Sequence, residues 1–212
     1  MDLSFYLVAS KDKLSEEKFL NILKEAVKGG VCVIQLREKN LCARDFYKLA
    51  MRVKALCDEL KTTLIINDRV DIALAVNACG VHLGQDDLPL KEARKLLGNE
   101  KIIGISAKTK EQIDEAYKFG ATYVGCGAIY KSLTKDSSVI GLKGLNELTS
   151  HIKEKKYSLK TVAIGGIKDE NILSFKGMFV NSLAFSSAIM QSENVYQTCL
   201  DIKNKLEAVL SR

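Results

Sequence analysis

The chain has 212 residues and is 47% hydrophobic, enough for one sizeable core and short for two ordinary domains, so a single domain over residues 1–212 is expected. No stretch approaches the roughly 18 consecutive apolar residues of a membrane span, and Met1-Asp2-Leu3-Ser4-Phe5 carries no basic run of a targeting segment, which points to a cytoplasmic protein off the membrane. The net charge of +6 is spread along helix-like stretches such as Lys91-Glu92-Ala93-Arg94-Lys95 with no nucleic-acid module or aromatic stacking motif, so no nucleic acid partner is expected.

In chain order, strand-like apolar runs fall at Phe5 to Ala9, Val31 to Leu36, Thr63 to Asn67, Gly80 to Leu83, Ile102 to Ser106, Thr122 to Cys126, Thr161 to Ile164 and Leu183 to Ser186. Helical periodicity follows each run, beginning near Ser15, Cys42, Arg69, Pro89, Lys110, Gly141, Lys168 and Val195. Repeated β-α units predict parallel strands. Eight such strands in so few residues, with no Gly-rich nucleotide turn, predict an α/β fold of the (β/α)8 TIM-barrel type. The six cysteines form no C-x-x-C pair, which excludes a zinc site of that spacing and predicts reduced, mostly buried thiols. Gly127 to Ile140 is the longest irregular stretch.

In a barrel of this kind the site lies at the carboxyl ends of the strands. The second strand ends in Gln35-Leu36-Arg37-Glu38-Lys39, and Gln35, Arg37 and Lys39 share parity, so an extended backbone aims them to one face. Two cations there suit a diphosphate, or else an ion pair with Glu38 or a neighbour. The third strand runs into Asn67-Asp68 and the fourth into His82-Leu83-Gly84-Gln85-Asp86-Asp87. Carboxylates on adjacent strands beside a diphosphate fit Mg2+, with Asp68 and Asp87 as metal ligands. Capping of the following helices by Asp68 and Asp87 is the alternative. Ser106 closes the fifth strand, and Ser132, Thr134 and Lys135 sit in the polar loop, where contact with a phosphate or an ordinary surface role are both open. Gly165-Gly166 and Ser186-Ser187 end the last two strands, where barrels often bind phosphate; a tight turn and a helix cap are the alternatives. His82 reads as a barrel histidine with a satisfied hydrogen bond, and His151 as exposed on a helix.

Together, Gln35-Leu36-Arg37-Glu38-Lys39, Asn67-Asp68, Gly80 to Asp87, Ser106, Thr134-Lys135, Gly165-Gly166 and Ser187-Ala188-Ile189 resemble the thiamine-phosphate synthases over nearly the whole chain. The resemblance implies a transferase joining an aminopyrimidine diphosphate to a thiazole phosphate, with Mg2+ as cofactor and a homodimer as assembly. By the same resemblance, Gln35, Arg37, Lys39, Asn67, Ser106 and Lys135 hold the aminopyrimidine diphosphate. Ser132, Leu133, Thr134, Gly165 or Gly166, Ser186 and Ser187 hold the thiazole phosphate. Arg37, Lys39, Ser106 and Lys135 are the expected catalytic groups; Lys135→Ala is expected to lower turnover by more than about tenfold, read by pyrophosphate release. The chain departs from the family pattern at Ala128, where proline is usual, at Ser132, where threonine is usual, and at Asn181-Ser182 before the last strand. These departures bear on the thiazole side. A thiazole tautomerase-like isomerase or regulator and a noncatalytic phosphate-ligand sensor are the competing readings on this barrel.

Overall fold

Strand-forming runs with side chains alternating between two apolar environments build a closed sheet in the computed structural model, which describes residues 2–131 and 138–210. The strands are β1 (Phe5–Ala9), β2 (Val33–Leu36), β3 (Thr63–Asn67), β4 (Gly80–Leu83), β5 (Ile102–Ala107), β6 (Tyr123–Cys126), β7 (Lys160–Ile164) and β8 (Ser182–Phe185). All neighbours pair in parallel, and the ring closes where Phe5 of β1 meets Leu183 of β8. This is the expected (β/α)8 barrel, with strand ends shifted by one or two residues from the sequence reading.

Helices α1 (Glu16–Lys28), α2 (Ala43–Glu59), α3 (Val70–Ala75), α4 (Leu90–Leu97), α5 (Lys110–Lys118), α6 (Gly141–Glu154), α7 (Ser187–Met190) and α8 (Val195–Leu210) surround it. In α1 the buried residues are Phe19, Ile22, Leu23 and Ala26, the spacing that puts one apolar stripe on the barrel. Ser15 starts that helix by accepting from the Lys18 N–H at 3.2 Å. No helix among the described residues is long and apolar enough to cross a membrane.

Between β7 and β8 the sequence predicts an α-helix, and the structure instead has a 3₁₀ helix, Asp169–Phe175. Side chains compete for the backbone there: Asn171 Oδ1 accepts from the Lys168 N–H at 3.0 Å, and Ser174 Oγ donates to the Asn171 carbonyl at 2.6 Å. The turn α7 was not visible as a separate element in the periodicity. His151, expected to be exposed, has a side chain only 11% exposed; its Nε2 meets Asp114 Oδ1 at 2.6 Å, and Tyr157 donates to the same oxygen at 2.9 Å. All six cysteines are unpaired; Cys57, Cys126 and Cys199 are buried, and burial pushes their thiols up to about 12.

Period-two alternation sorts the strands into two cores. Phe5, Leu7 and Ala9 face the helices, whereas Tyr6, Val8, Val33, Ile65, Tyr123, Val162 and Ala184 fill the barrel interior. Two tyrosines fit in so narrow a space because neighbouring inward positions are glycines. A Cβ on Gly104 would lie 2.0 Å from Tyr123 Cζ, and one on Gly125 would lie 2.9 Å from His82 Cε1.

Candidate active site

The carboxyl ends of β2 to β5 form one side of the barrel mouth. Gln35 points inward and is 4% exposed. Its strand stays extended one residue further because the Arg37 N–H donates to the Ala9 carbonyl at 2.8 Å. Arg37 is half-buried, and Lys39 swings across to place its ammonium on Asp68 Oδ2. The cation pairs with the next strand, while Glu38 turns away to accept from the Lys11 N–H at 2.5 Å.

β3 delivers Asn67, 7% exposed, and then Asp68. Asp68 sits at φ 62, a left-handed conformation that costs a non-glycine residue roughly 1 kcal/mol or more. Backbone bonds on both sides hold it there: Asp68 N–H to the His82 carbonyl and Arg69 N–H to the Asn67 carbonyl, both 2.8 Å. The kink turns the Asp68 carboxylate into the mouth and away from α3, whose N-cap position is Arg69 with no side-chain cap. The capping alternative for Asp68 is therefore not realised.

After β4 the chain folds back so that Asp87 Oδ2 accepts from the Gly84 N–H at 2.6 Å. A Cβ on Gly84 would lie 2.9 Å from that oxygen, so a larger residue there would displace the Asp87 carboxylate. Asp87 does not cap α4 either, where Pro89 occupies the N-cap position without a side-chain bond. Instead its carboxyl reaches that of Asp68. Burial raises Asp87 from its ordinary value and the adjacent Asp68 raises it further, with partial relief from the Gly84 N–H and Lys39. Two carboxylates converging with one ammonium leave negative charge for a further cation. Among the described residues no cluster of three metal-ligating side chains exists. A two-carboxylate set still fits Mg2+, which completes its shell with phosphate oxygens and water.

β5 contributes Ser106, half-buried, whose hydroxyl lies 3.1 Å from His82 Nε2 and whose carbonyl accepts from Gln85 Nε2 at 2.5 Å. His82 thus has the satisfied hydrogen bonds expected of it, the second to the Tyr123 hydroxyl at 3.0 Å. That tyrosine and Tyr6 were not singled out in the sequence; a tyrosine at an inward strand position was the available signal.

The opposite side of the mouth is built by β6, β7 and β8. Gly165 and Gly166 adopt φ 104 and φ 65, and added Cβ atoms would meet Ala128 at 2.6 Å and Lys131 O at 2.8 Å. They form a tight turn pressed against the segment after β6, where the Tyr130 N–H donates to the Gly165 carbonyl at 2.9 Å. Ser186 and Ser187 open α7 with no side-chain cap, so the helix-cap alternative is not realised. Ser132, Leu133, Thr134 and Lys135 lie outside the described residues. Of the departures, Ala128 is at this mouth, but Asn181 and Ser182 are at the start of β8, the opposite end of the barrel. Asn181 Oδ1 accepts from the Thr161 N–H at 2.9 Å, tying β8 to β7. Asn181-Ser182 therefore belongs to the barrel floor and has no bearing on the thiazole side.

Comparison with known proteins points to one family. The family model described as thiamine monophosphate synthase matches residues 5–189. A thiamine-phosphate synthase from Campylobacter jejuni (strain RM1221) is 50% identical over 211 residues, covering 100% of this chain and 97% of the relative. One from Methanobrevibacter smithii is 45% identical over 195 residues, covering 92% and 90%. The solved thiamine phosphate pyrophosphorylase from Pyrococcus furiosus superposes with a TM-score of 0.87 at 33% identity, covering 99% of this chain and 98% of that one. A barrel mouth carrying converging carboxylates, matched in sequence along almost its whole length, places the chain in the thiamine monophosphate synthase family.

Proposed function

We propose that this chain condenses an aminopyrimidine diphosphate with a thiazole phosphate to give thiamine phosphate and pyrophosphate, with Mg2+ as cofactor. The observation that carries the reading is the convergence of Asp68, Asp87 and Lys39 at the barrel mouth, which suits a diphosphate and its metal. Asp68 and Asp87 would hold the Mg2+ ion, whose chemistry there is to neutralise charge on the diphosphate oxygens.

The C–O bond to the pyrimidine methylene breaks, and pyrophosphate leaves with the bonding pair. The ring amino group supplies electrons to the methylene carbon, and the thiazole nitrogen attacks that carbon. No strong base is required, so positioning and leaving-group electrostatics dominate. Gln35, Asn67 and Ser106 orient the pyrimidine side; Arg37, Lys39 and Lys135 meet the charge growing on the diphosphate. Gly165 or Gly166 and Ser186-Ser187, on the opposite side of the mouth, hold the thiazole phosphate together with Ser132, Leu133 and Thr134.

A tautomerase needs neither diphosphate nor metal, and would have no use for the converging carboxylates. The test is pyrophosphate release by the purified protein given both substrates, with Mg2+ and with EDTA, and product mass measured in parallel. Metal-dependent thiamine phosphate, one per pyrophosphate, is the expected result. Thiazole isomerisation without pyrophosphate would instead establish the isomerase reading, and binding of both ligands without product the sensor reading.

A further inference from the structure

Beneath the mouth, five polar side chains on five different strands form one chain across the barrel interior. Gln35 Nε2 donates to the Tyr6 hydroxyl at 2.7 Å, the two tyrosine hydroxyls meet at 2.7 Å, Tyr123 meets His82 Nδ1 at 3.0 Å, and His82 Nε2 meets Ser106 Oγ at 3.1 Å. Both tyrosines are 1% exposed, so each hydroxyl proton must go to a protein partner or cost about 1–3 kcal/mol.

That requirement sets the direction. The Gln35 amide nitrogen cannot accept, so the proton of Tyr6 goes to Tyr123. The proton of Tyr123 then goes to His82 Nδ1, which makes His82 a neutral ring with its proton on Nε2. Nε2–H donates to Ser106, whose own proton is left for a group in the mouth. Burial raises the Tyr6 hydroxyl to about 12 and holds Tyr123 well above its ordinary value, so both remain protonated. The room for these rings is itself encoded, because Gly104 and Gly125 keep their Cβ positions empty beside Tyr123 and His82.

We propose that Tyr6, Tyr123 and His82 are positioning residues that impose this single proton order, orienting the Gln35 amide and making Ser106 a donor to an acceptor atom of the aminopyrimidine diphosphate. The proposal rests on the function given above for the substrate, but the proton order belongs to the ligand-free protein.

Two measurements test it. The chain has two histidines, so in 15N-histidine-labelled protein a His151→Gln variant leaves the ring signals of His82 alone. A neutral His82 protonated on Nε2 is expected; a proton on Nδ1 overturns the order. In steady-state kinetics, Tyr123→Phe is expected to lower kcat/KM for the aminopyrimidine diphosphate by about 10- to 100-fold and to loosen the His82 tautomer preference. Added to a Gln35→Ala/Ser106→Ala double variant, the same substitution is expected to cost less than about twofold, because its effect runs through those two side chains. Full additivity of the two losses would overturn the positioning role. If Tyr123→Phe does not fold, Tyr6→Phe takes its place, and the wild-type spectrum decides the proton order in either case. Wild-type protein that makes no thiamine phosphate would sink the proposed function and leave the tautomer result standing.

Discussion

Asp87→Asn is expected to lower Mg2+-dependent pyrophosphate release by about a hundredfold or more, the loss of several kcal/mol of charge stabilisation on the departing diphosphate. The amide still accepts the Gly84 N–H that shapes the turn, so the fold is retained while the facing pair of carboxylates is broken. The metal-free protein gives a second readout with the opposite sign. Asp87 is raised from its ordinary value, so it binds its proton more tightly folded than unfolded and costs stability as pH rises from the unfolded value through the raised folded one. At neutral pH without metal, Asp87→Asn is therefore expected to melt at or above the wild-type temperature. Mg2+ together with pyrophosphate should raise the melting temperature of wild type more than that of the variant. An unchanged Mg2+ dependence of turnover would remove Asp87 from the metal site.

Gly104→Ala is expected to destabilise the protein by about 3 kcal/mol or more, measured by urea denaturation, at the upper end for overpacking a core. The added methyl would sit 2.0 Å from Tyr123 Cζ, and the ring has nowhere to move: it is 1% exposed and packs beside Tyr6 and His82 at centroid separations of 5.9 and 5.5 Å. Relief requires either a shift of β5 against β6 or loss of the tyrosine's hydrogen bonds. Activity in whatever fraction folds should fall with the disturbed Tyr123. A variant as stable as wild type would show that the interior is looser than these contacts indicate.

Much of this is legible in the amino-acid sequence. Each strand is a short apolar run followed by a stretch with helical periodicity, so the barrel class follows from local pattern alone. The shared parity of Gln35, Arg37 and Lys39, and the polar residues closing β3, β4 and β5, mark the mouth because strand carboxyl ends gather there in any barrel. The segment Asp169–Phe175 was misread because Asn171 and Ser174 bond locally to the backbone, a competition that periodicity does not register. Asn181 looked like a change at the site because it precedes the last strand, but in a parallel barrel the start of a strand is the far end from the mouth.

What the amino-acid sequence determined by itself is the set of elements and the chemistry delivered to their ends, since both depend on residues near one another in the chain. Tertiary structure alone decided the partners: Lys39 with Asp68, Asp68 with Asp87, Asp114 with His151, and the line from Gln35 through two tyrosines to His82 and Ser106. These pairs join residues from different strands and helices. Their contacts depend on strand register and on the diameter of the closed ring, and neither is written in any local stretch of the chain.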